Sequence, residues 1–224
     1  MPHTKSTCRG LTGSAAEPRL RSSSFTLIEV LVMAGTIALL LCFLIPRAVR
    51  EKRKETCRRN LRDIGIGFKT FGLTDPRYPP RTPVAEGGTA ELVRSGQVFV
   101  HFRGMMSNGL SAKSLVCPAD RKKKVADHNS FSDDNVSYFI GVDAADEFPD
   151  VMLSGDRNLA VGNVPLKPGL FMVTTNTPLV WAEAIHGSCG NILMGDGSIQ
   201  FVNSTQLTAL VHNQGLVTNR LAIP

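Results

Sequence analysis

The sequence has no C-x-x-C pair, no G-x-S-x-G turn, no Walker A loop and no H-E-x-x-H helix. A thioredoxin-like or zinc module, a nucleophile elbow, a nucleotide cradle and a metalloprotease helix are therefore not expected, and the chain reads as a non-enzyme. It also lacks internal repeats and a second long apolar run, which excludes a solenoid and a multi-span membrane protein. Hydrophobic residues make up 42% and charged residues 20% of the 224, near globular averages, which excludes a disordered or collagen-like chain. Acidic residues are scarce in the first third. Residues 1–24 carry four basic and one acidic side chain and residues 25–73 carry nine and four, whereas residues 74–224 carry twelve and fourteen. The net charge of +6 thus arises at the N-terminal end, and it gives no reason to expect the remainder to bind nucleic acid.

What is present is one long apolar run, residues 25–45, FTLIEVLVMAGTIALLLCFLI, with Glu29 as its one charge. A helix of this length spans about 30 Å, the thickness of a hydrocarbon core. It exceeds the apolar region of a secretory signal, no A-x-A site follows it, and Pro46 marks its interfacial end. A plain anchor accounts for everything except Glu29. A carboxylate at the bilayer centre costs on the order of 2.5–3.5 kcal/mol, less near the edge, so a compensating partner is expected.

The stretch Ser24-Phe25-Thr26-Leu27-Ile28-Glu29-Val30-Leu31-Val32 resembles the class III signal of type IV pilins and type II secretion pseudopilins. The resemblance implies a leader of residues 1–24, cut by a prepilin peptidase between Ser24 and Phe25 on the cytoplasmic side, with N-methylation of Phe25. The family prefers Gly where Ser24 stands. Glu29 becomes the fifth mature residue, whose carboxylate would pair with the N-terminal ammonium of a neighbouring subunit. Pro46 stands where many pilins have a helix-kinking proline. The implied protein is a pseudopilin of the inner membrane, with a cytoplasmic leader and a periplasmic head. It would polymerise with itself and other pilin-like subunits, served by a secretion platform and an ATPase, to support protein secretion. The alternatives are a minor pilin of a surface fibre or DNA-uptake machine, and an unprocessed membrane-anchored ligand-binding domain. Eight Lys and Arg residues follow the span within residues 47–62 against four in the leader. That bias by itself favours the opposite orientation.

After residues 25–45 we expect an amphipathic stalk helix over residues 46–72 and a globular head over residues 73–224. Cys57, Leu61, Ile64, Phe68 and Phe71 form one apolar stripe, Gly65 and Gly67 weaken the helix, and Gly72 ends it. Residues 73–90 read as a loop. Strands are expected at residues 97–103, 114–117, 136–142, 170–174, 179–182, 191–194 and 198–202. Asp196-Gly197 should make a tight hairpin turn. A last helix, capped by Asn203 or Ser204 and ended by Gly215, turns Leu207, Leu210 and Val211 inward. The fold class is α+β, a long N-terminal helix on an antiparallel sheet.

The segment from His186 to Asp196-Gly197 fits an H-x9-DG pattern. It resembles the C-terminal signature of a large bacterial family of pilin-like proteins, as do residues 115–120 and 135–139. A strand between them would hold His186 and Asp196 roughly 15 Å apart, too far for one ion. His186 is expected to hydrogen-bond locally and Asp196 to make the turn. Asp143, Asp146, Glu147 and Asp150 offer hard oxygens for calcium, but without the EF-hand spacing and its Gly. No resident cofactor is expected, and a solvated loop is the simpler reading there. Cys8 leaves with the leader, Cys42 lies in lipid and Cys57 is on the stripe. Cys117 and Cys189 either pair with each other or stay as thiols. His101, His128, His186 and His212 sit in unrelated contexts. The basic stalk face and residues 121–124 read as solvated surfaces, with nucleic acid not an expected partner.

Overall fold

Leu, Ile and Val fill the first half of helix α1 (Leu27–Gly72). It starts on a capping box: the Thr26 N–H and hydroxyl both donate to Glu29 Oε2 at 2.9 Å, and Thr26 Oγ1 accepts from the Glu29 N–H. The computed structural model describes residues 26–73, 77–126, 130–182 and 185–224. Residues 1–24, the Ser24–Phe25 bond and His128 lie outside the described residues. The chain divides into two compact units, Met1–Ile45 and Pro46–Pro224. In the first, the large apolar side chains from Leu27 to Ile45 are exposed, and this stretch is apolar and long enough to cross a membrane.

In the second unit, the stripe on α1 is buried as its 3.6-residue period requires. Cys57, Leu61, Ile64 and Phe68 are inaccessible and Phe71 nearly so. Burying each large side chain contributes about 1.5–3 kcal/mol. Phe68 packs edge-on against Tyr78, with ring centroids 5.1 Å apart. Gly65 and Gly67 lie within the helix. A Cβ at Gly65 would stand 3.3 Å from Leu193, so this glycine lets α1 approach the sheet rather than bending it away.

The loop of residues 73–90 holds two single 3-10 turns, Pro79–Arg81 and Val84–Glu86. Residues 97–103 and 114–117 are not strands. The first contributes to α2 (Phe99–Met106), because the fully inaccessible set Val98, His101, Phe102 and Met105 follows helical spacing, with Val100 nearly as buried. The second begins in the last half of a 3-10 turn, Ala112–Leu115, capped by the Ser111 hydroxyl.

The strands are β1 (Tyr138–Gly141), β2 (Met152–Asp156), β3 (Leu159–Val161), β4 (Val164–Pro165), β5 (Gly169–Thr174), β6 (Leu179–Trp181), β7 (Cys189–Met194), β8 (Ile199–Asn203) and β9 (Thr218–Ile223). Helix α3 (Ser204–His212) lies between the last two. Six strands form one antiparallel sheet in the order β5-β9-β1-β2-β7-β8, and β4-β3-β6 form a smaller one. The fold is α+β, with the second half of α1 on one face of the large sheet.

The period-2 alternation of the strands divides the core. Tyr138, Ile140, Leu153 and Leu193 join the α1 stripe in one cluster. Their neighbours Phe139, Met152, Ile192 and Met194 join Leu159, Trp181, Leu207 and Val211 in the other. The central strands are thus covered on both faces, which is why β1 and β2 are buried throughout. Asn203 caps α3 in a box with Gln206, as expected, but the helix ends at His212, before Gly215. Leu207 and Val211 are buried, and Leu210 packs against them half-exposed.

Candidate functional site

Four elements converge beneath α1. Cys57 comes from the stalk stripe, and Cys117 follows the 3-10 turn, where the Ser137 N–H donates to the Leu115 carbonyl. Asp156 ends β2 and His186 lies in the connection from β6 to β7. Cys57 and Cys117 form a disulfide. This corrects both readings of the head cysteines: Cys117 pairs with the stalk, and Cys189 is free. His186 Nε2 lies 3.4 Å from Cys117 Sγ and 3.6 Å from Asp156 Oδ2. The contacts of His186 are therefore long-range in sequence, not local as the sequence suggested. One ligand atom from each of these four residues falls within 4.8 Å of all the others.

The cluster is dry. Cys57, Cys117 and Asp156 are inaccessible, and the His186 side chain is 3% exposed. Asp156 Oδ2 accepts from the Asn191 N–H at 2.7 Å and the Asn191 amide at 3.0 Å, while Oδ1 has no hydrogen-bond partner among the described residues. Burial pushes the Asp156 carboxyl up to about 7, against the pull of the Asn191 bonds. Burial, helped by the charge of Lys54, pushes the His186 imidazole down to about 4. Both shifts run the same way: burial favours the uncharged form of each group. Phe201 holds the ring edge-on at 6.3 Å, and Lys54 sits over the Phe201 face at 5.2 Å.

Above the cluster opens a cleft of about 840 Å³, with His186 in its wall. The stalk contributes Arg50, Arg53 and Lys54, and the loop after Cys117 contributes Arg121 and Lys122. Two basic segments far apart in sequence thus share one surface. The sequence gives each as a solvated face, but nothing in it shows that they meet. Asp120 and Arg157 also line the cleft and neutralise each other: Arg157 Nε and Nη2 reach the carboxylate at 2.6 and 2.9 Å. Burial raises the Asp120 pKa, but Arg157 and the Lys122 N–H outweigh it and hold the carboxyl below its usual range.

The other expected site residues fall elsewhere. Asp143 accepts from the Arg220 N–H at 2.8 Å and from Arg220 Nε at 3.0 Å. Asp146 pairs with Lys69 and the Tyr78 hydroxyl. Glu147 and Asp150 are exposed. Asp196 sits past the far end of β7 from His186 and accepts from the Ser198 N–H at 2.7 Å. Among the described non-glycine residues none has positive φ, so Asp196 does not supply it; Gly197 alone does, at +86°. The Gly197 N–H donates to the Met194 carbonyl and the Met194 N–H to Ser198, a three-residue loop closed by a left-handed glycine.

The segment between the motif residues is a packing device. A Cβ at Gly190 would stand 2.6–2.7 Å from the ring of buried Trp181. Gly190→Ala is expected to cost about 1–3 kcal/mol through overpacking, read as a lower denaturant midpoint at unchanged slope; an unchanged midpoint overturns this. The H-x9-DG segment thus holds one buried imidazole, one close-packed strand and one turn. No known protein family, curated protein or solved structure matches this chain.

Proposed function

We propose that the chain is a pilin-like structural subunit, a pseudopilin of a type II secretion or type IV pilus-like system. It is cut after Ser24 and methylated on Phe25, and it polymerises through its N-terminal helix to support secretion. The observation that carries this reading is the exposed apolar stretch after Thr26 with a single carboxylate, Glu29, in its first turn. Within the monomer, Glu29 Oε2 serves the Thr26 cap and leaves Oε1 available to a neighbouring ammonium. The second half of α1 is built into the core of the head. The action of the subunit is mechanical.

Intact-mass and N-terminal analysis of the membrane fraction should find a chain beginning at N-methyl-Phe25. A mature chain that still begins at Met1 sinks the reading. Glu29→Gln keeps an acceptor for the Thr26 cap and removes the charge. It is expected to insert and be processed normally yet fail to assemble, and normal assembly would leave Glu29 as a cap only.

The basic cleft favours a second reading, a minor pilin of a DNA-uptake machine or surface fibre. Its test is salt-dependent binding of single-stranded DNA by the full chain, weakened by replacing Arg50 and Arg53 together. Binding that is absent, or indifferent to those two residues, removes it.

A further inference from the structure

We propose that the chain with Cys57 and Cys117 reduced binds one zinc-class divalent cation through Cys57, Cys117, His186 and Asp156, and that the disulfide and the metal are alternative occupants of this pocket. The geometry is the starting point. Ligands about 2.0–2.3 Å from a tetrahedral zinc stand about 3.3–3.8 Å from one another. The His186 Nε2 to Cys117 Sγ and His186 Nε2 to Asp156 Oδ2 separations, 3.4 and 3.6 Å, already lie in that range. The four ligand atoms are within 4.8 Å of one another. The two sulfurs, bonded in the disulfide, must separate to about 3.7 Å, and the remaining pairs, within 4.8 Å, need at most about 1.5 Å of adjustment.

The donor set selects the ion. Two thiolates and an imidazole suit a borderline-soft cation, and one carboxylate completes four-coordination. Asp156 Oδ1 is inaccessible and has no hydrogen-bond partner among the described residues, so the oxidised pocket leaves a buried acceptor unsatisfied. The Asn191 bonds to Oδ2 would serve as the outer-shell support that orients a ligating carboxylate. Four protein ligands with almost no exposure make a closed site of the structural kind, with no position for a substrate. Nothing in this site depends on whether the protein is a pseudopilin.

The chemistry balances in both directions. Synthesis delivers two thiols; the cation displaces their two protons to solvent as it binds. A small-molecule disulfide then takes up two electrons from the sulfurs and two protons from solvent, becomes two thiols, closes the Cys57–Cys117 bond and releases the ion. A phosphine reductant with one water reverses the closure: the phosphine gains the oxygen, and the sulfurs gain two electrons and two protons.

The test uses the full chain in detergent with cobalt(II) as probe. After phosphine reduction, tetrahedral d–d and thiolate-to-cobalt charge-transfer bands should appear at one ion per chain and be displaced by zinc. The disulfide form should give neither. Asp156→Asn and His186→Ala should each weaken cobalt binding by at least ~100-fold, whereas Asp196→Asn should leave it unchanged. Zinc should also slow maleimide labelling of Cys57 and Cys117 in the reduced chain, a readout that needs no variant to fold. The proposal is overturned if the reduced chain shows no charge-transfer band, if the oxidised chain binds equally well, or if zinc leaves labelling unaffected.

Discussion

Replacing both Cys57 and Cys117 with serine should remove about 4 kcal/mol of stability. The bridge joins residues 60 apart in sequence, and a loop of that size carries a chain-entropy term of about 4 kcal/mol at 25 °C. The bond ties the stalk stripe to the chain entering β1, so the unfolded protein without it regains the freedom of the end of α1, the proline-rich loop, α2 and the 3-10 turns between them. For a unit of this size the melting temperature should fall by roughly 8–16 °C. Thermal unfolding of the full chain with zinc removed by a chelator reads this, compared with and without a phosphine reductant. The reductant should reproduce most of the loss in the native sequence and none in the double variant. Equal melting temperatures for the oxidised native chain and the double variant would refute the stabilising role.

The bridge also shows where sequence reasoning stops. The α1 stripe was legible because five apolar residues at spacings of three and four leave one solution, a helix with one buried face. The hairpin of β7 and β8 was legible because Asp196-Gly197 separates two alternating runs. Residues 97–103 misled because Val98, Val100 and Phe102 also satisfy a strand pattern over so short a window; Met105, beyond it, decides for the helix. Strand β2 escaped because Ser154, Gly155 and Asp156 are polar or small yet buried, Ser154 donating to the Phe139 carbonyl. Strand β9 escaped because Asn219 and Arg220 are polar and break the apolar alternation, although Asn219 is buried and donates to the Met152 carbonyl.

The site was the least legible part. His186 was singled out, but its partners come from three other elements, and no spacing in the chain encodes which cysteine meets which. The signal that was present is the position of Cys57 on the buried stripe. A thiol on a face that must pack against the head lies on the way to the head thiols, but Cys189, the first residue of β7, shares the strand alternation of Leu193 in the α1 cluster, so the pattern alone does not choose between Cys117 and Cys189. The sheet order, which brings β2 between β1 and β7, is what sets Asp156 beside Asn191, and it is not written in any local spacing.

Acidification should destabilise the fold through His101. Its ring is inaccessible, Nδ1 lies 2.7 Å from the Thr89 hydroxyl, and Nε2 has no hydrogen-bond partner among the described residues. Burial pushes its pKa from 6.5 down to about 4. Between those values the unfolded chain binds a proton that the folded chain refuses, so stability falls as pH drops from 6.5 to 4. At 1.36 kcal/mol per pH unit the full loss is about 3 kcal/mol, none of it present above pH 6.5. Asp156 works in the opposite sense: its folded pKa is raised, so it favours folding as pH falls from about 7 toward 3.8. The total profile therefore mixes signs, and the difference between the native chain and His101→Gln isolates one group. Glutamine keeps an amide near the Thr89 hydroxyl and cannot titrate. Denaturant unfolding at pH 7, 5.5 and 4 should show the stability gap between the two proteins shifting by about 3 kcal/mol in favour of the variant at the acid end. A gap that stays constant across that range would mean that His101 admits a proton in the folded state as readily as in water.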